Sequence, residues 1–116
     1  MINRDAFISA WQNMAVGIYA IGKASGFYDG EFNDAEKIAL MHSELSEALE
    51  GLRGAPFPGV PDDKLPHRPA VEVELADAVI RIMNYATHRK LDLAGAIVEK
   101  AAFNATRPGK HGGKQF

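Results

Sequence analysis

The sequence predicts an all-α protein, a four- to five-helix bundle forming one domain over residues 1–116. Apolar side chains recur at three- and four-residue spacing through four segments, and no segment shows the two-residue alternation of a strand. Glycine and proline separate those segments. With 116 residues, 47% of them hydrophobic, the chain can build one core but not two.

The first helix is predicted over residues 3–24, with Asn3 as cap and Phe7, Trp11, Met14, Ile18 and Ile21 along one face. Gly17 to Ala24 matches the phosphate-binding P-loop pattern except for its final hydroxyl. We reject that reading because the motif needs a preceding strand and a following helix, whereas here the helical period runs straight through. Gly26 to Gly30 reads as a turn. Asn33 followed by Glu36 resembles a capping box opening the second helix, whose expected core stripe is Ile38, Met41, Leu45, Leu49 and Leu52, and Gly54 ends it.

Residues 54–70 hold five of the six prolines, and a linker this long is expected to be either a functional loop or partly disordered. His67 lies in it and is expected to be solvated, with an approach to a ligand as the alternative. The third helix, 71–88, is expected to bury Val71, Leu75, Ala78, Ile82 and Ala86, beside a polar line of Glu74, Asp77, Arg81, Asn84 and His88. Arg81 stands four residues after Asp77, so a same-helix ion pair is expected first and a phosphate contact second. His88 is expected at the surface. Asp92 caps a fourth helix through Leu93, Ile97, Val98 and Ala102 that stops before Pro108. Lys100, Phe103, Asn104 and Arg107 share one side of that helix, and residues 108–116, with Lys110, read as a basic, flexible tail.

The chemistry concentrates in two acidic pairs, Glu44-x-x-Glu47 and Glu74-x-x-Asp77, separated by 26 residues. Three-residue spacing puts both members of a pair on the same side of a helix. If the two helices lie antiparallel, four carboxylates converge, and their repulsion calls for protons or cations. Oxygen donors favour Mg²⁺ or Mn²⁺ over zinc. Charge is uneven too: residues 1–99 carry nine Lys/Arg against fifteen Asp/Glu, and residues 100–116 carry four against none. An acidic body with a basic end suits a polyphosphate held by metal and cations together. The absence of cysteine excludes disulfides, thiolate sites and cysteine nucleophiles, and a cytoplasmic setting is expected because no leader or membrane span is apparent.

Glu44-x-x-Glu47, the gap, Glu74-x-x-Asp77 within the run Glu74 to Ile82, and the ending from Asn104 to Phe116 together resemble the MazG-like all-α nucleoside triphosphate pyrophosphohydrolases, in their small single-domain subgroup. The resemblance covers about residues 31–116. It implies Mg²⁺-dependent hydrolysis of a nucleoside or deoxynucleoside triphosphate to the monophosphate and pyrophosphate, in nucleotide-pool house-cleaning. It also implies that Glu44, Glu47, Glu74 and Asp77 bind the metal, with Glu44 or Glu47 activating water. Lys100, Asn104, Arg107, Lys110 and Arg81 would contact substrate. Asn84 departs from the pattern, since many relatives are expected to carry Asp there.

A homodimer or homotetramer is expected, and no membrane or nucleic-acid partner is. The alternative is a non-enzymatic nucleotide-binding or regulatory helical module. A ferritin-type redox bundle is disfavoured because no Glu-x-x-His occurs. Trp11, Tyr19, Phe27, Tyr28 and Phe103 are candidates for stacking a base, with helix-core packing as the commoner use of such residues.

Overall fold

A computed structural model describes residues 3–107 as four helices: α1 (Arg4–Ala24), α2 (Asp34–Arg53), α3 (Ala70–His88) and α4 (Leu93–Ala105). No strand occurs among the described residues, and none of the helices is long and apolar enough to cross a membrane. The tail 108–116, with Lys110, lies outside the described residues.

Local chemistry sets the helix starts. Asn3 Oδ1 accepts from the Ala6 N–H at 3.1 Å, Asn33 Oδ1 from Glu36 N–H at 3.0 Å and Asp92 Oδ1 from Gly95 N–H at 3.0 Å, so three helices satisfy an otherwise orphaned donor. α3 has no such cap; Pro69 precedes it.

The dominant packing unit is the α2–α3 pair, which is antiparallel and clamped at both ends. At one end Arg89 donates from Nε and Nη2 to the two oxygens of Asp34, each at 2.7 Å, and the Tyr85 hydroxyl donates to the same carboxylate at 2.8 Å. At the other end Gly51 lets α2 approach the first turn of α3 closely: a Cβ there would sit 3.1 Å from that of Ala70. Residues 54–70 close this end as an ordered loop. Val60 N–H donates to Gly51 O at 3.0 Å, Ala70 N–H to Val60 O at 2.9 Å, and Gly59 turns against the Gly51 carbonyl with φ +88°.

α1 lies on α3, where the Tyr19 hydroxyl hydrogen-bonds His88 Nδ1 at 2.8 Å, and α4 folds back onto α1. His88 is therefore half-buried rather than a surface residue, because Tyr28 and Phe32 stack on its ring with centroids 4.7 and 4.2 Å away.

The expected core stripes are corrected in one respect. On α2 the buried residues are Glu44, Ala48 and Gly51, whereas Leu45 is 50% and Leu49 52% exposed. On α3 Ala78, Met83, Asn84 and Ala86 are buried, whereas Leu75 is 47% exposed and Ile82 also faces outward. Met14 and Ile21 of α1 and Ile97 of α4 are likewise exposed. Small residues allow the helix axes to approach, so they occupy the seams inside one chain. The larger side chains, displaced from the seams, form outward apolar stripes.

Candidate functional site

The antiparallel α2–α3 pair sets Glu44 and Glu47 opposite Glu74 and Asp77, and these four line a cavity of about 530 Å³. Carboxylate oxygens of Glu44, Glu74 and Asp77 all lie within 4.8 Å of one another. Glu47 belongs to the same cavity from its solvent-exposed side. Ligands of an octahedral Mg²⁺ stand about 2.9 Å apart when adjacent and about 4.2 Å when opposite, so the three side chains would draw in to share a hard cation. Glu74 Oε2 is buried and makes no hydrogen bond among the described residues.

Electrostatics sorts the carboxylates. Burial first, and then the facing carboxyls of Glu44 and Glu47, push Glu74 up to about 7. Burial and then the Glu44 charge raise Asp77, against the pull of Arg81 and Lys64. Burial also pushes Glu44 upward, but the Arg81 guanidinium and the neighbouring Glu74 carboxyl outweigh it and hold Glu44 below the usual range. The Arg81 partner differs from the expected one: its Nε donates across the helix pair to Glu44 Oε1 at 2.8 Å, not along α3 to Asp77. Glu44 is almost fully buried between the helices and offers the guanidinium a less hydrated acceptor than Asp77 does.

The rest of the cavity is aromatic. Phe27, Tyr28, Phe32 and Tyr85 line it, with Leu40, Ile80 and Lys37. Lys37 Nζ donates to Phe27 O at 3.4 Å and lies 5.5 Å from the centre of the Phe32 ring. Asn84 stands on α3 between the acidic and aromatic ends. It is 8% exposed, and its Oδ1 makes no hydrogen bond among the described residues. Gly22 of α1 permits this packing, since a Cβ there would lie 3.2 Å from Tyr28 and 3.5 Å from the Asn84 amide nitrogen.

Of the residues singled out from sequence, Glu44, Glu47, Glu74, Asp77 and Arg81 come together, and Phe27, Tyr28 and Asn84 join them. Lys100, Asn104 and Arg107 do not line the cavity; Lys100 and Asn104 are exposed on α4 and Arg107 just past its end, and Lys100 and Arg107 lie over the Phe103 ring. His67 is exposed on the loop and is not among the lining residues. Six lining residues were not singled out from sequence: Phe32, Lys37, Leu40, Lys64, Ile80 and Tyr85. Helical spacing carried a signal for Lys37, which precedes Leu40 by three residues and Glu44 by seven. Nothing local marks Lys64.

Neither a protein-family model, nor a curated protein, nor a solved structure matches this chain. The functional reading therefore stands on the cavity and on the residues that line it.

Proposed function

We propose that the cavity binds a nucleoside or deoxynucleoside triphosphate together with Mg²⁺ and hydrolyses it to the monophosphate and pyrophosphate. The observation that carries this reading is the meeting of Glu44, Glu74 and Asp77 within 4.8 Å, at one end of a cavity whose other end is lined by Phe27, Tyr28, Phe32 and Tyr85. A ligand that satisfies both ends has a planar aromatic part and a strongly anionic part that requires cations. A nucleoside polyphosphate is such a ligand.

In this reading Glu44, Glu74 and Asp77 hold the cation, with Glu47 as a further ligand or as the base for water. When bound, Mg²⁺ (or Mn²⁺) lowers the pKa of water and offsets charge on the phosphates. The chain supplies the remainder. Arg81 orients Glu44 and keeps it ionised, as the lowered Glu44 pKa requires. Glu47, the most exposed of the four, can take a proton from water and release it to solvent. The aromatic rings offer a stacking face and exclude water on one side. Lys100, Asn104 and Arg107 contact substrate in this reading only when a second copy of the chain brings them to the cavity. A homodimer or homotetramer is accordingly part of the proposal.

The experiment is a panel of the NTPs and dNTPs with Mg²⁺ and detection of released pyrophosphate. Release from at least one nucleotide, abolished by EDTA and by Glu47→Gln or Asp77→Asn, is expected. Nucleotide binding without pyrophosphate release would instead assign a non-enzymatic binding module.

A further inference from the structure

We propose that Lys64, delivered by the proline-rich loop, binds the terminal phosphates of the substrate, the part that leaves as pyrophosphate. This rests on reading the cavity as a triphosphate site.

Among the described residues, three cations line the cavity: Lys37, Lys64 and Arg81. Arg81 is engaged by Glu44, and Lys37 is held at the aromatic end by the Phe27 carbonyl and the Tyr28 and Phe32 rings. Lys64 stands close enough to Asp77 to pull its proton affinity down, yet its ammonium makes no hydrogen bond or ion pair within 4 Å among the described residues. A cation beside a carboxylate cluster and not consumed by it is available to an incoming anion.

The loop is built to place it. Asp62, only 4% exposed, accepts from the Lys64 N–H at 3.0 Å and from the Leu65 N–H at 2.8 Å. The Asp62 N–H in turn donates to Arg68 O at 2.9 Å, and the flanking bonds from Val60 to Gly51 and from Ala70 to Val60 tie the loop to the converging ends of α2 and α3. The backbone of Lys64 is thus fixed while its four-carbon stem is free to swing. Asp62 is a positioning residue in this scheme.

Position along α3 assigns the phosphate. Tyr85 and Asp77 are eight residues apart, about 12 Å at a rise of 1.5 Å per residue, with Tyr85 at the aromatic end and Asp77 at the acidic end. A base on the aromatic rings sends its phosphates toward Asp77. The loop enters from the N-terminal side of α3, beyond Asp77, so Lys64 meets the phosphates farthest from the base. A compact ammonium suits that task, because its charge is not tied to one bidentate geometry.

Calorimetric binding of magnesium pyrophosphate, alongside turnover of an equimolar mixture of NTPs and dNTPs, tests this with wild type, Lys64→Gln and Lys64→Arg. Lys64→Gln is expected to weaken pyrophosphate binding and kcat/KM by about ten- to a hundredfold, with Lys64→Arg between it and wild type. Product inhibition by nucleoside monophosphate, and the Mn²⁺ affinity, should not weaken in either variant. A Lys64→Gln protein that binds pyrophosphate as wild type does overturns the assignment while leaving hydrolysis intact. A wild type that neither binds magnesium pyrophosphate nor turns over any NTP or dNTP removes the triphosphate reading and this inference with it.

Discussion

Glu74 is where the fold and the proposed chemistry oppose each other. In the folded chain it titrates at about 7 against an ordinary value of 4.5, so between those values the folded state holds more protons than the unfolded one. Stability must then fall as pH rises through that window, and Asp77 moves in the same direction. Glu44, held low, contributes oppositely: its stabilisation is present above the usual carboxylate range and lost as pH falls through its folded value. Metal-free protein is therefore expected to melt lower at about pH 8 than at about pH 6, with Mg²⁺ reversing the drop. Glu74→Gln should flatten the profile and raise the metal-free Tm at the higher pH, by roughly 4–8 °C for each kcal/mol of repulsion relieved. A metal-free Tm that rises across the window would contradict the assignment. Arg81→Ala makes the complementary case, since it strips the nearly buried Glu44 of its donor. A loss of about 1–3 kcal/mol in urea unfolding is expected, and Arg81→Lys should recover only part of it because the Nε donor is gone.

Helix boundaries were legible because they rest on local chemistry. Asn3, Asn33 and Asp92 cap as their side chains dictate, and Gly54 and Pro108 mark stops that the chain respects. Burial was less legible: a leucine stripe and a seam of Ala48, Gly51 and Ala78 have the same period, and only tertiary packing decides which faces inward. The acidic pairs could be read because both members of each pair share one helix. The partner of Arg81, the surroundings of His88 and the place of Lys64 could not, since each is fixed by a contact between distant segments. The loop of residues 54–70 shows this most plainly, as its order comes from Gly51, Val60, Asp62 and Ala70 rather than from any regular pattern. Gly59 is its hinge point. An alanine there meets a positive φ costing about 1–2 kcal/mol, and its Cβ would press on the Gly51 carbonyl, which cannot yield without lifting the loop. Gly59→Ala should lower the urea midpoint and, by displacing Lys64, lower kcat/KM as well. Full turnover in a loop-destabilised Gly59→Ala protein would separate the loop from the site.

For the whole molecule, the core of one chain is thin. Its buried apolar residues are Ala15, Ala48, Ala78, Met83, Ala86 and Ala94, and no large side chain among the described residues is completely buried. Ile38, Leu45, Leu49 and Leu52 of α2, with Leu75, Val79 and Ile82 of α3, are exposed along two adjacent helices. Apolar surface exposed along two neighbouring helices is what the proposed homodimer or homotetramer would cover. Light scattering is expected to give a dimer or tetramer, and Leu49→Glu should dissociate it and lower the Tm together. A monodisperse monomer with wild-type stability would contradict this.

Mn²⁺ titration followed by electron paramagnetic resonance tests, without relying on turnover, whether the opposed carboxylates form a divalent-cation site. At about pH 8 the free Mn²⁺ signal should be depleted by wild type, and far less by Glu74→Gln or Asp77→Asn. Binding should weaken at about pH 6, where Glu74 holds its proton and competes with the ion. Mn²⁺ affinity unchanged in both variants, or no depletion by wild type, would contradict the account.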